Sequence, residues 1–461
     1  MRLRHNVFGA ALLLHLAAVA AAQVPGNPFA VAGEVTVTHT ASDRWRVEYE
    51  LSRDAVSIML GPPTPEYHAG AWRLPEAFHV TVDETGYAYL ERVDGEAFRG
   101  VAVEVQTWSD LVTYAPQPFG VFSDGVAINT GPLGFASRIG PNRMMMTFAP
   151  TFTFRGMPDE SVVVPGVQPG SLEHLDLPDS GVFVYFGSTG KMRRSESLDL
   201  LLDGDAPQAL GDLVFESAKG YAELYDHELR DALAGPLVVF FSWSEGESLG
   251  FGGGAQGNQI MAKGRGPANL EVDDAARRAA RSFLAHEMAH VWQTHLGNDD
   301  ARWWNEGGAE LLALRAMEGL GEETAVGIAA DLSARVGPAL EGLRRTSLFD
   351  AHRRGDPELN YSAGTLVMAA AEAATAADEM PDDVFALDRA LSAIGPGDRR
   401  GSPMRSFRAA LRTLGASEAA CEAIETFVTS PHGDPRAALL ALFDATGLRH
   451  HLDGDSVLID P

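Results

Sequence analysis

Between Glu34 and Val164 the chain alternates apolar and polar positions with a period of two. Trp45, Val47, Tyr49 and Leu51 are separated by Arg46, Glu48 and Glu50. Val101, Val103 and Val105 repeat the pattern, and Phe152 and Phe154 do so again. A period of two marks a strand with one buried face. Phe122-Ser123-Asp124-Gly125-Val126 reads as a tight turn between two such strands. Many short strands joined by turns predict a sandwich-like β unit. A stretch rich in proline and glycine follows, Gly156–Ser180, with Pro158, Pro165, Pro169 and Pro178, and a change of domain is expected there. Beyond it, Val182–Phe186 and Leu237–Phe241 are short apolar runs expected to be strands, with a helix predicted over Leu213–Leu233. From Ala275 the chain reads as helices almost to the end. The alanines of Ala369–Ala377 express helix propensity and nothing more. Strands followed by helices predict an α+β fold, with a β-rich unit over 23–165 and a second unit over 175–461. No internal repeat is visible.

The N-terminus has a different character. Arg2 and Arg4 precede an apolar run, Val7–Ala22, which ends in Ala20-Ala21-Ala22 before Gln23. This is the layout of a cleaved export signal over residues 1–22. The run is short for a membrane anchor. The mature chain is therefore expected to be secreted or periplasmic, with no membrane anchor after cleavage. Length and composition add little: 461 residues, 45% hydrophobic and 21% charged, suit an ordinary globular chain of two or three domains. Charge adds more. With 63 acidic against 36 basic residues the net charge is -27, which argues against nucleic acid or an anionic membrane as the partner. The single cysteine, Cys421, excludes both an internal disulfide and a cysteine-based zinc site.

Chemistry concentrates at His286-Glu287-Met288-Ala289-His290, an H-E-x-x-H pattern within a predicted helix from Arg277 to about His295. Residues four apart on a helix share a face, so both imidazoles can point at one ion, and two neutral nitrogens suit Zn²⁺. Glu287 stands beside the first histidine, where a carboxylate can take a proton from an activated water. A catalytic site needs a third protein ligand and an open position. A third histidine further along the helix does not supply it, because Gln293 and Leu296 occupy the glycine and histidine positions of that motif. His295 lies about 140° round the helix from His290 and is not expected to be a ligand. Arg302-Trp303-Trp304-Asn305-Glu306-Gly307-Gly308-Ala309-Glu310 offers two carboxylates one helical turn apart. One can bind metal and the other can hold a ligand histidine from behind; the spacing does not choose between Glu306 and Glu310.

His286–Trp292 followed by Trp304–Glu310 resembles the gluzincin metallopeptidases, above all the aminopeptidase N-like enzymes and the glycyl aminopeptidases. The resemblance implies a thermolysin-like catalytic domain over 175–461 with a helical C-terminal part. It implies one zinc ion on His286, His290 and Glu306, with Glu310 behind a ligand. The interval from His290 to Glu306 is shorter than is usual in the aminopeptidase N branch. Downstream, Asn360-Tyr361-Ser362-Ala363-Gly364 resembles the family's Tyr-x-Lys-Gly segment, with Ala363 in place of the lysine, and implies that Tyr361 stabilises the oxyanion. Upstream, Gly252–Met261 lies where the family has a Gly-Ala-Met-Glu-Asn strand whose glutamate holds the substrate's free amine. No carboxylate stands there, so a weaker preference for a free N-terminus is expected, while pairing of this strand with a peptide backbone is retained. Glu245 and Glu247 lie just before it. The same stretch matches G-x-G-x-x-G by spacing but does not open a helix, so no dinucleotide site is expected. The expected function is an exported zinc metallopeptidase acting on peptides or proteins. The competing readings are a catalytically silent binding protein of the same fold and a zinc hydrolase of a non-peptide amide or ester. An intact Glu287 speaks against the first of these.

Overall fold

The computed structural model describes residues 30–461 apart from 62–64, 84–86, 109–117, 135, 141–143, 168–171, 178–180, 230–232, 234, 268, 294–300, 376–383 and 395–402. The export signal and its cleavage point lie outside the described residues, as do His295 and Leu296. The N-terminal half contributes β1 (Ala30–Ala41), β2 (Arg44–Ala55), β3 (Ser57–Leu60), a short helix α1 (Pro65–Ala71), β4 (Trp72–Arg73), β5 (Phe78–Val82), β6 (Ala88–Arg92) and β7 (Phe98–Gln106). It continues with β8 (Phe119–Phe122), β9 (Gly125–Asn129), β10 (Ala136–Ile139), β11 (Met144–Arg155), β12 (Ser161–Val163), β13 (Leu175–Asp176) and β14 (Phe183–Gly187). Nine of these form one sheet in the order β4-β7-β2-β1-β11-β10-β3-β6-β5, with β13 paired to β11. A second sheet runs β12-β14-β9-β8. The expected alternation holds: Trp45, Val47, Tyr49 and Leu51 are buried on β2, and Val101, Val103 and Val105 on β7. Their apolar faces meet Phe119, Val126, Ile128, Val184 and Phe186 of the second sheet, and Trp45 lies 5.3 Å, centroid to centroid, from Phe119. The Phe122–Val126 turn joins β8 to β9 as predicted.

The second sheet is apolar on both sides. Phe183-Val184-Tyr185-Phe186 is buried throughout, because Val184 and Phe186 face the large sheet while Phe183 and Tyr185 face the other way. A strand covered on both faces loses its alternation. On the far side lies a five-stranded sheet, β15-β16-β17-β19-β18, built from β15 (Met192–Arg194), β16 (Leu198–Leu202), β17 (Leu237–Glu245), β18 (Gly250–Gln256) and β19 (Gln259–Gly266). Phe122, Ala127, Phe183 and Tyr185 pack there against Leu201, Val238, Phe240 and Met261. The expected strand at Val182–Phe186 therefore belongs with β9 and β12, not with the unit that follows it. The fully buried Asp203 ties the layers, accepting hydrogen bonds from Ser123 N, Ser123 Oγ at 2.6 Å and Trp243 N at 3.1 Å.

Helix α2 (Gln208–Leu229) connects the parallel strands β16 and β17, starting earlier than Leu213. Past it come α3 (Asp274–Trp292), α4 (Arg302–Gly319), α5 (Ala325–Leu343), α6 (Glu358–Thr375), α7 (Val384–Ala393), α8 (Pro403–Thr413), α9 (Glu418–Thr429) and α10 (Pro435–Thr446). The chain ends in a hairpin, β20 (His450–Asp453) and β21 (Ser456–Ile459), which the helical reading of this region did not anticipate. Val457 and Ile459 reach into the helical core, and Ile459 N donates to Ser333 Oγ at 2.8 Å. Among the described residues no helix is long and apolar enough to cross a membrane.

Candidate metal centre

Helix α3 starts at Asp273, whose carboxylate accepts a hydrogen bond from Ala276 N at 2.8 Å, an N-cap that satisfies one free donor of the first turn. Leu284, Met288 and Val291 bury one face of the helix in the core. On the β18 side Phe283 stacks on Phe251, with ring centroids 5.7 Å apart. At the far end Trp292 Nε1 donates to Asp226 of α2 at 3.1 Å. The helix is thus fixed at both ends, and His286, Glu287 and His290 project from it in a largely buried setting.

The two imidazoles meet through their Nε2 atoms, 3.1 Å apart. Glu306, from the first turns of α4, places Oε2 3.6 Å from His286 Nε2 and 3.3 Å from His290 Nε2. An ion bonded at ~2.0–2.1 Å to the corners of a tetrahedron holds those corners ~3.3 Å apart. The three donor atoms already form that triangle. A triangle of protein ligands with a fourth corner left over is the arrangement of a catalytic rather than a structural zinc site, and two nitrogens with one carboxylate oxygen suit zinc. Among the described residues this is the group of donors able to hold an ion.

A ring of polar contacts surrounds the triangle. Glu310 Oε1 stands 3.1 Å from His286 Nδ1, at an angle short of a regular hydrogen bond, and Glu310 Oε2 accepts from Arg335 of α5 at 2.6 Å. Arg302 donates to Glu306 Oε1 at 2.9 Å, leaving Oε2 to the histidines. His290 Nδ1 stands 3.2 Å from Gln293 Oε1. Burial alone would favour a neutral His286, but the nearby carboxylates of Glu306 and Glu310, and the charge of Glu287, push its pKa up to about 10. Burial works against the charged carboxyl of Glu310 too, yet His286 and Arg335 bring its pKa down to about 2. Glu306, opposed by burial in the same way, is held far below the usual carboxylate range by the two imidazoles. The pocket therefore favours positive charge where the triangle lies, which a dication can supply.

Tyr361 comes from the first turn of α6. Its ring lies 5.8 Å from that of His286, and its hydroxyl is close enough to Glu306 to feel that carboxylate's charge. Burial, followed by the charge of Glu306, pushes the phenol well up from its ordinary value, so the group keeps its proton and can donate. The contact depends on two glycines. A β-carbon on Gly307 would stand 2.5 Å from Thr365 N and 2.7 Å from Gly364 Cα, and one on Gly364 would stand 3.3 Å from Gly307 Cα. Helices α4 and α6 touch backbone to backbone there, which brings Tyr361 to Glu306.

The edge strand of the five-stranded sheet is β18, antiparallel to β19 and packed beside α3. Among the described residues no strand pairs with its outer edge, and it carries no carboxylate. Glu245 and Glu247 before it are exposed. The G-x-G-x-x-G spacing falls across a strand and a hairpin turn at Gly257, so no helix opens on it.

The structure thus brings together His286, Glu287, His290, Glu306, Glu310 and Tyr361. Four further residues escaped the sequence reading. Gln293 stands three positions after His290 and Arg302 four before Glu306, both within helical reach, while Asn305 adjoins Glu306 itself. Arg335 is 25 positions from its partner on another helix and has no local signature.

No protein-family model and no curated protein matches the sequence. Solved structures do match the fold. An aminopeptidase N family protein from Idiomarina loihiensis aligns over 89% of this chain and 78% of its own, with a TM-score of 0.62 at 12% identity. An M1 zinc metallopeptidase from Deinococcus radiodurans aligns over 88% and 95%, with a TM-score of 0.51 at 13% identity. The architecture of this chain, a β unit followed by a mixed sheet and a helical C-terminal part, is the gluzincin fold of M1-type peptidases.

Proposed function

We propose that the protein is an exported zinc metallopeptidase, hydrolysing peptide bonds at the centre formed by His286, His290 and Glu306. The observation that carries this reading is the triangle of two Nε2 atoms and one carboxylate oxygen, with edges of 3.1, 3.3 and 3.6 Å, beside a buried carboxylate. The fold shared with M1-type peptidases supports it, and the N-terminal Val7–Ala22 run motivates the export.

Held by His286, His290 and Glu306, zinc would supply Lewis acidity to a water and to the scissile carbonyl. The chain's own residues do the rest. Glu287 adjoins His286 on the same helix and takes the proton from the attacking water, then delivers it to the leaving amine. Tyr361 donates its hydroxyl to the oxygen on which negative charge develops. Glu310 orients His286, and Arg302 keeps Glu306 turned so that one oxygen faces the histidines. The outer edge of β18 offers backbone groups to an extended substrate.

The purified protein is expected to hold one zinc per chain, and His290→Ala to hold none at equal protein concentration. Elemental analysis of both, after dialysis against metal-free buffer, decides the matter. Equal zinc in the two would remove the assignment. Tyr361→Phe is expected to lower kcat by roughly ten- to a thousandfold with little change in KM, as befits a donor used mainly in the transition state. An effect confined to KM would place Tyr361 in ground-state binding instead.

A further inference from the structure

The two histidines of the triangle are held from behind by different chemistry. His286 has a carboxylate at Nδ1, whereas His290 has the neutral amide of Gln293. Gln293 is the residue at which α3 ends, and its backbone N–H still bonds to Ala289 O. Its side chain folds back over the helix end and is 3% exposed. The amide oxygen lies 3.2 Å from His290 Nδ1 and 3.4 Å from Asn305 Nδ2. Asn305 Nδ2 is also 3.3 Å from His290 Nδ1.

These contacts set His290 Nδ1 between an acceptor, Gln293 Oε1, and a donor, Asn305 Nδ2, with the acceptor the nearer. An Asn305 N–H aimed at Gln293 Oε1 marks that atom as the acceptor, and the acceptor then draws a proton onto His290 Nδ1. With Nδ1 protonated, the lone pair of the neutral imidazole sits on Nε2, the atom that faces His286 and Glu306. Turning the amide round would put its NH₂ against Nδ1 and force the proton onto Nε2, where no metal could bind. The space for this amide comes from α4. A β-carbon on Gly308 would stand 2.8 Å from Gln293 Nε2, so a glycine there admits the side chain. Among the described residues Gln293 Nε2 is buried with no hydrogen-bond partner, and the contacts of the amide are made by its oxygen.

We infer that Gln293 is a positioning residue of the metal centre, which holds His290 in the Nδ1–H tautomer so that Nε2 is presented to the ion. The inference rests on the metal reading given above and adds to it how the second histidine is made ready. Asn305 supports Gln293 by marking the acceptor. In a variant without the Gln293 oxygen, Asn305 Nδ2 becomes the nearest partner of His290 Nδ1 and favours the tautomer that cannot bind.

The test compares zinc affinities in competition with a chromophoric chelator, using wild type, Gln293→Leu and Gln293→Glu. The circular dichroism and melting of the metal-free proteins serve to check folding. Gln293→Leu keeps the bulk and removes the acceptor; its zinc affinity is expected to fall by about ten- to a hundredfold with the metal-free fold unchanged. Gln293→Glu keeps an acceptor at the same place and is expected to bind zinc at least as tightly as wild type. Should Gln293→Leu fail to fold, Gln293→Met takes its place. Affinity within twofold of wild type in the leucine variant overturns the inference. So does an equal loss in the leucine and glutamate variants, which would show that the site needs the amide's packing and not its oxygen. A wild-type chain that takes up no zinc in the same assay overturns the metal reading itself, and this inference with it; zinc uptake by wild type with no effect at Gln293 sinks the inference alone.

Discussion

Glu287→Gln is expected to leave the protein folded and zinc-loaded while lowering peptide hydrolysis by on the order of 10³-fold or more. The amide has the shape of the carboxylate and none of its basicity. Glu287 is 8% exposed on a helix fixed at both ends, so the substitution does not ask the backbone to move. Its charge is felt by both His286 and Tyr361, the first metal donor and the hydroxyl assigned to the oxyanion. None of the three atoms of the triangle belongs to it, so zinc content should be unchanged. Turnover is to be measured on any peptide the wild type cleaves, with the metal analysed in the same samples. Near wild-type turnover in a zinc-loaded Glu287→Gln would show that another group takes the proton.

Gly307→Ala is expected to cost stability and activity together, at a position with no side chain in the wild type. The added carbon meets backbone atoms of Gly364 and Thr365, not the flexible end of a side chain, so nothing can swing aside. The helices must part, and overpacking of this kind costs roughly 1–3 kcal/mol or more. Glu306 adjoins Gly307 on α4, and Tyr361 lies one turn before Gly364 on α6. Parting the helices draws the phenol away from the carboxylate. A lowered melting temperature with kcat reduced and zinc retained is the expected outcome. Gly319, exposed at the end of α4, is the control, since a β-carbon there would stand 3.7 Å from Leu224 Cδ2, an ordinary contact. Gly319→Ala should be neutral or gain up to about 1 kcal/mol, since alanine has the better helix propensity. Equal behaviour of the two variants would show that the contact between α4 and α6 is not what matters at Gly307.

The sequence carries local information well and relations between distant segments poorly. Trp45, Val47, Tyr49 and Leu51 announce a half-buried strand because a sheet face repeats every second residue. His286 and His290 announce a shared face because a helix turn returns every fourth. Glu306 and Glu310 were visible as a pair for the same reason, and the structure puts one in the triangle and the other behind His286. Phe183–Phe186 was visible as a strand, but an apolar run with no alternation does not say which sheet it joins. Its partners, Val162, Val163 and residues 125–129, are identified only by pairing across turns and loops. Arg335 reaches Glu310 from a separate helix, and no periodicity within either segment predicts that. The terminal hairpin was missed for another reason. Val457 and Ile459 alternate over too few residues to stand out beside the helices before them, and it is the packing on α5 that gives the short strands a reason to form.

The strand Phe183–Gly187 also changes what counts as a separable module. The proline-rich stretch before it has the composition of a linker, and a designer of fragments would choose to divide the chain there. Such a division would cut the middle sheet apart. The N-terminal piece would lose the strand between β9 and β12, and the C-terminal piece would begin with Phe-Val-Tyr-Phe, apolar on both sides and without a neighbour on either edge. A segment of that kind seeks other strands and invites aggregation. The joint between the halves is a shared layer and not a tether, so neither half can be exchanged for a foreign one without rebuilding the faces of Phe183 and Tyr185 that meet Val238 and Phe240.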